Sequence, residues 1–209
     1  MPDAMRVALS GANGFIGRAL GEALRAQGYE VWPLVRQATK DPHSIFYDYH
    51  NKKIDHEKLA QCGMVIHLAG KNIMGGLWTP AFKKELYDSR VKSTRFIAHT
   101  LAQMKHGPKV LLNASAIGIY GDRADQKLDE QSLPGQGFLA DLCMDWERGT
   151  LFAKKAGLRV VNMRFGVVLD PEGGMLKSMI PAFKLGLGAI MGSGNQYFGT
   201  LTFTGAAAS

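Results

Sequence analysis

Three glycines at three-residue spacing, Gly11-Ala12-Asn13-Gly14-Phe15-Ile16-Gly17, follow an apolar run at 5–10 and lead into a helical pattern at 18–27. The chemistry this order serves is the holding of a pyrophosphate. Gly11 lets the chain turn sharply off a strand, Gly14 lets backbone N–H groups approach an anion, and Gly17 lets the helix pack closely on the strand. The positive end of the helix dipole then faces the phosphate. The turn residues Gly11, Asn13, Gly14, Phe15, Ile16 and Gly17 are the expected contacts. The alternative, an ordinary tight strand–helix connection, is disfavoured by the strand before and the amphipathic helix after.

A second strand, 30–35, ends at Arg36, the distance beyond a glycine turn at which a dinucleotide's adenosine ribose is met. A carboxylate there would take a free 2′-hydroxyl, whereas a guanidinium pairs with a 2′-phosphate. Arg36 therefore favours NADP, with NAD possible; Lys40 can assist, and Asp48 can reach the adenine edge. The net charge of +7 admits an anionic small ligand, a nucleic-acid surface or a generally basic exterior. The basic residues are scattered rather than packed into a block with aromatics, which ranks nucleic acid last. Cys62 and Cys143 are the only cysteines; two isolated thiols suit a reducing cytoplasm and form no metal pattern. No secretory signal is expected, and no apolar run is of bilayer length.

These residues need a frame. Strand-like runs at 30–35, 44–49, 63–69, 109–114 and 159–165 alternate with helical patterns at 54–61, 79–104 and 138–156. Thr79 is the expected N-cap of the long helix with Pro80 at its first position, and Gly157 closes the helix at 138–156. Pro33 inside a strand suggests an edge position or a bulge. The polar stretch 121–137 reads as a loop. Alternation of this kind specifies an α/β fold, a doubly wound parallel sheet with its ligand at the carboxyl ends of the strands. Two parts are expected, a dinucleotide-binding domain at 1–165 and the start of a substrate-binding portion at 166–209.

The glycine turn, His67-Leu68-Ala69-Gly70 and Ser115-Ala116-Ile117-Gly118-Ile119-Tyr120-Gly121 together resemble the extended short-chain dehydrogenase/reductase superfamily. Trp78-Thr79, Ser89-Arg90-Val91, Asp145-Trp146-Glu147, Arg164 to Leu169, Pro181 to Gly188 and Gly192 to Tyr197 narrow this to its atypical epimerase family proteins, the sugar-nucleotide-epimerase-like group. The resemblance covers about 5–198. It implies a Rossmann fold of the extended type, with Leu68, Ala69 and Gly70 beside the cofactor, a small-molecule substrate, and a homodimer through the helices at 79–104 and 138–156.

It also implies a Tyr-x-x-x-Lys pair and a Ser or Thr for proton transfer beside the nicotinamide. The helix at 138–156 has no tyrosine, and Phe138, Leu139, Leu142 and Cys143 stand where the pair belongs. The hydroxyl position is Ala116, with Ser115 one residue earlier on the opposite face of the strand. Tyr120 and Ser115 are the remaining catalytic candidates, each with a structural alternative; His67 reads as a hydrogen-bonded strand-end residue, and no metal cluster is evident. After Phe198 the family continues with a Trp-Ile-His-type segment, whereas this chain reads 199–209 and stops, so an incomplete substrate side is expected. The expected activity is hydride transfer on a sugar nucleotide or other hydroxyl-bearing metabolite. The alternatives are a non-catalytic dinucleotide-binding regulatory protein and a structural remnant that binds nothing.

Overall fold

The computed structural model describes residues 5–171, 173–188 and 199–201. The motif at 192–197 and the tail beyond 201 lie outside them. The strands are β1 (Arg6–Ser10), β2 (Glu30–Val35), β3 (Ile45–Asp48), β4 (Lys53–Ile54), β5 (Met64–His67), β6 (Val110–Ala116), β7 (Arg159–Phe165), β8 (Val167–Asp170) and β9 (Thr200–Leu201). The helices are α1 (Phe15–Ala26), α2 (His56–Ala60), α3 (Pro80–Tyr87), α4 (Ser93–Gln103), α5 (Phe138–Arg148), α6 (Leu151–Lys155) and α7 (Gly174–Lys184).

Seven strands form one sheet in the order β4-β3-β2-β1-β5-β6-β7. β1, β2, β3, β5 and β6 run parallel, and β4 folds back antiparallel on β3. The chain winds outward from β1 to β3 and then crosses to β5, so the switch point lies between β1 and β5. Both faces are covered, which is why β1 is apolar without alternation. Val7 and Leu9 pack with Val31 and Ile66 against Leu20 and Leu24 of α1. Ala8 between them faces Ile97, Ala98 and Leu101 of α4 and Ala153 of α6.

Three local expectations are refined. Pro33 sits in an interior strand, opposite Leu9 of β1. β3 joins β2 only from Leu34 onward, so Pro33 is inside the sheet without meeting a β3 partner. The long helix at 79–104 is interrupted by a π-helical turn at Asp88–Lys92 between α3 and α4. Its start is as expected: Thr79 Oγ1 accepts the Phe82 N–H at 3.2 Å, and Pro80 follows. The helix at 138–156 is likewise two pieces, α5 and α6, broken at Gly149. A side chain on Gly149 would press on the Trp146 carbonyl and on Thr94 of α4.

The chain divides into two compact units, one from 1–115 and 144–163 and the other from 116–143 and 164–209. In the second, β8 pairs with β9 and packs on α7. No helix among the described residues is long and apolar enough to cross a membrane.

Candidate functional site

A cleft of about 1090 Å³ opens at the carboxyl ends of β1, β2, β3 and β5 in the first unit. The glycine turn forms one side. Gly11 has φ +70°, a conformation that favours glycine, and a Cβ there would lie 3.1 Å from the Ala69 nitrogen and the Leu68 carbonyl carbon. The Gly14 N–H closes the turn on the Gly11 carbonyl at 2.8 Å. Gly14 is also the N-cap of α1, with no side-chain cap and no acidic residue in the first turn. The positive end of a twelve-residue helix thus begins at the cleft wall. A Cβ on Gly17 would fall on the Gly11 carbonyl group, so the helix approaches the turn as closely as glycine allows.

Of the expected cofactor residues, Gly11, Asn13, Gly14, Arg36, Ala69 and Gly70 line this one cleft. Phe15, Ile16, Gly17 and Leu68 are not part of its wall. Arg36 forms no ion pair among the described residues. Thr39, Tyr47, Tyr49 and His50 share the cleft with it; Lys40 is not among the wall residues. Burial pushes Tyr47 up to about 12, so its hydroxyl is a neutral donor at neutral pH. Asp48 also lines the cleft, but it accepts the His50 N–H at 2.9 Å and the Asn51 amide at 2.7 Å. Those bonds hold its carboxyl below the usual range.

Another part of the cleft wall is one the sequence reading missed. Asp88 and Ser89 reach the cleft from the π-helical turn, with Glu85 from α3 and Lys71 after β5. The five-residue step from buried Leu86 to buried Val91 is the sequence signal for that turn. Ser89 Oγ accepts the Lys71 N–H at 3.0 Å and donates to the Leu86 carbonyl at 3.1 Å. Behind this wall His67 is fully buried. Its Nδ1 lies 2.6 Å from Ser10 Oγ and its Nε2 2.9 Å from Ser93 Oγ. Burial lowers its pKa to about 4.

The two catalytic candidates are both engaged. Ser115 is buried and donates to Glu147 of α5 at 2.7 Å. β6 runs without a break to Ala116, so Ser115 shares the face of Asn113, which accepts from Thr94 of α4 at 3.1 Å. In the second unit the Tyr120 hydroxyl accepts from Arg164 Nη1 at 2.9 Å, and the guanidinium stacks over its ring. Cys62 and Cys143 are both buried, and burial pushes the Cys62 thiol up to about 11. No group of three or more His, Cys, Asp or Glu among the described residues could hold a metal.

Residues 7–198 match the NAD dependent epimerase/dehydratase family. The chain belongs to that family. Its cofactor class is the nicotinamide dinucleotide expected from the glycine turn. Among its members, epimerase family protein Mb2239 of Mycobacterium bovis is 44% identical over 191 residues, covering 91% of this chain. The chain spans 63% of that relative's length. Two solved structures superpose closely. The nucleoside-diphosphate sugar epimerase of Corynebacterium glutamicum gives a TM-score of 0.82 at 35% identity, over 96% of this chain and 41% of that one. Human epimerase family protein SDR39U1 (isoform 2) with NADPH gives 0.80 at 31% identity, over 95% of this chain and 66% of that one. The epimerase-family resemblance and the doubly wound fold are thus both established.

Proposed function

We propose that this protein binds NADP(H) in the cleft and performs epimerase-like hydride transfer on a sugar nucleotide or another hydroxyl-bearing metabolite. The observation that carries the reading is the pairing, in one cleft, of a glycine turn at the start of α1 with Arg36 just after β2. Gly11 and Gly14, without side chains, leave their backbone open to a pyrophosphate, and Asn13 lines the cleft between them. Arg36 supplies a planar cation for the 2′-phosphate, and Ala69 and Gly70 line the cleft beside the turn. NADPH bound to the human relative and the nucleotide-sugar epimerase from Corynebacterium glutamicum support the cofactor and the substrate class. When bound, the nicotinamide would supply the hydride acceptor or donor. The proton then falls to one of this chain's hydroxyls. Tyr120 is held by Arg164, and Ser115 is paired with a carboxylate that can take its proton.

The test is calorimetric titration with NADPH and NADH, followed by NADPH or NADP turnover with a panel of nucleoside-diphosphate sugars. Tighter NADPH binding and turnover that falls in Tyr120→Phe or Ser115→Ala, with NADPH affinity unchanged, support the reading. NADPH binding without turnover on any substrate favours a dinucleotide-binding regulatory protein instead. The absence of a Tyr-x-x-x-Lys pair from α5 speaks for that second reading. No binding of either nucleotide overturns both.

A further inference from the structure

The hydrogen bonds around His67 leave one self-consistent arrangement of protons. Ser10 Oγ accepts two backbone N–H groups, from Leu68 and Ala69, each at 3.1 Å. A hydroxyl oxygen has two lone pairs and one hydrogen. With both lone pairs engaged, Ser10 can only donate to His67 Nδ1 at 2.6 Å. Nδ1 is therefore the acceptor, and the ring proton sits on Nε2. Nε2–H donates to Ser93 Oγ at 2.9 Å, and the Ser93 hydroxyl donates to the Ser89 carbonyl at 2.7 Å. One relay runs from the end of β1, through the end of β5, into the π-helical turn.

Both ends of this relay meet the cleft. Leu68 and Ala69 precede Gly70 and Lys71, and Ala69, Gly70, Lys71 and Ser89 are wall residues. Leu68 and Ala69 are also the groups that a Cβ on Gly11 would strike. We propose that His67, as its Nε2–H tautomer, is the positioning residue that sets the 69–71 wall against the glycine turn, acting through Ser10 rather than touching the ligand. The inference deepens the NADP(H) reading and rests on it for its effect on affinity.

The two halves of the relay can be separated. In His67→Asn the side-chain oxygen takes the place of Nδ1 and accepts from Ser10, while the bond to Ser93 is lost. In His67→Gln the amide nitrogen reaches Ser93 and the acceptor for Ser10 is lost. The expected result is NADPH affinity within about threefold of wild type for Asn, and about tenfold or more weaker for Gln. Amide hydrogen exchange at Ala69 in the ligand-free protein should be slow in wild type and Asn, and fast in Gln, whereas the Leu68 N–H keeps the Ser10 carbonyl at 3.4 Å as a second acceptor. Nitrogen-15 spectra of the wild-type imidazole should show protonated Nε2 and bare Nδ1.

Equal affinities for the two variants, unchanged exchange in Gln, or the opposite tautomer would overturn the proposal. Should either variant fail to fold, Ser10→Ala and Ser93→Ala divide the relay in the same way, with loss of protection and affinity expected only for Ser10→Ala. A wild-type protein that binds no NADPH sinks the cofactor reading, whereas the exchange and nitrogen-15 measurements judge the relay without it.

Discussion

Gly14 and Gly17 occupy the same turn but have different surroundings. A Cβ on Gly14 would stand 3.1 Å from one carbonyl oxygen, which a small shift relieves; a Cβ on Gly17 would overlap the Gly11 backbone. Gly14→Val should therefore melt near the wild-type temperature yet lose NADPH binding by calorimetry. Gly17→Ala should lose both binding and several degrees of stability. Arg36→Glu should invert the nucleotide preference, lowering NADPH affinity about tenfold or more while sparing NADH, because a carboxylate repels the 2′-phosphate and accepts from a free ribose. At His67 the folded-state pKa of about 4 lies below the ordinary value of 6.5, so the unfolded chain takes the proton first as pH falls. That contribution to stability is whole above pH 6.5 and is lost between there and pH 4. It amounts to about 3 kcal/mol. Urea unfolding of wild type should show this loss, and His67→Asn should lack that part of the slope.

The π-helical turn puts Asp88 and Ser89 on the cleft while Val91, Ile97 and Leu101 stay in the core. The N-terminal end of α3 is secured separately by Thr79. Thr79→Ala should cost about 1 kcal/mol in chemical unfolding with little effect on NADPH affinity. Most elements were legible in the sequence because each carried two agreeing signals. β1 had an apolar run followed by a glycine turn, and α3 had a capping Thr and a Pro in front of a periodic face. The π-helical turn was not, since a single five-residue step among four-residue steps barely alters the helical period. Arg36 and the glycine turn were readable because their roles depend on position along the chain. The Ser10–His67–Ser93 relay was hidden because its members lie 57 and 26 residues apart and meet only through the sheet. The division of the helix at 138–156 escaped for a related reason: Gly149 is required by the approach of Thr94, a tertiary contact.

At the scale of the molecule, a ligand that grips β1, β2, β3 and β5 together binds only the folded sheet. NADPH at a hundredfold excess over its dissociation constant should stabilise the protein by about 2.7 kcal/mol. For a chain of this size that raises the melting temperature by about 5–10 °C. Calorimetric scans with and without nucleotide measure it, and an unshifted melt would count against the cleft as the binding site. The sheet's two borders are unlike. One ends in β4, two residues long, reversed, and carrying exposed Lys53. Among the described residues the other ends in β7, seven residues long with Val161 exposed. A short charged border resists the addition of a foreign strand, whereas a long one invites it. Among the described residues, pairing between copies is thus expected on the β7 border rather than the β4 border, and Val161→Lys should oppose it.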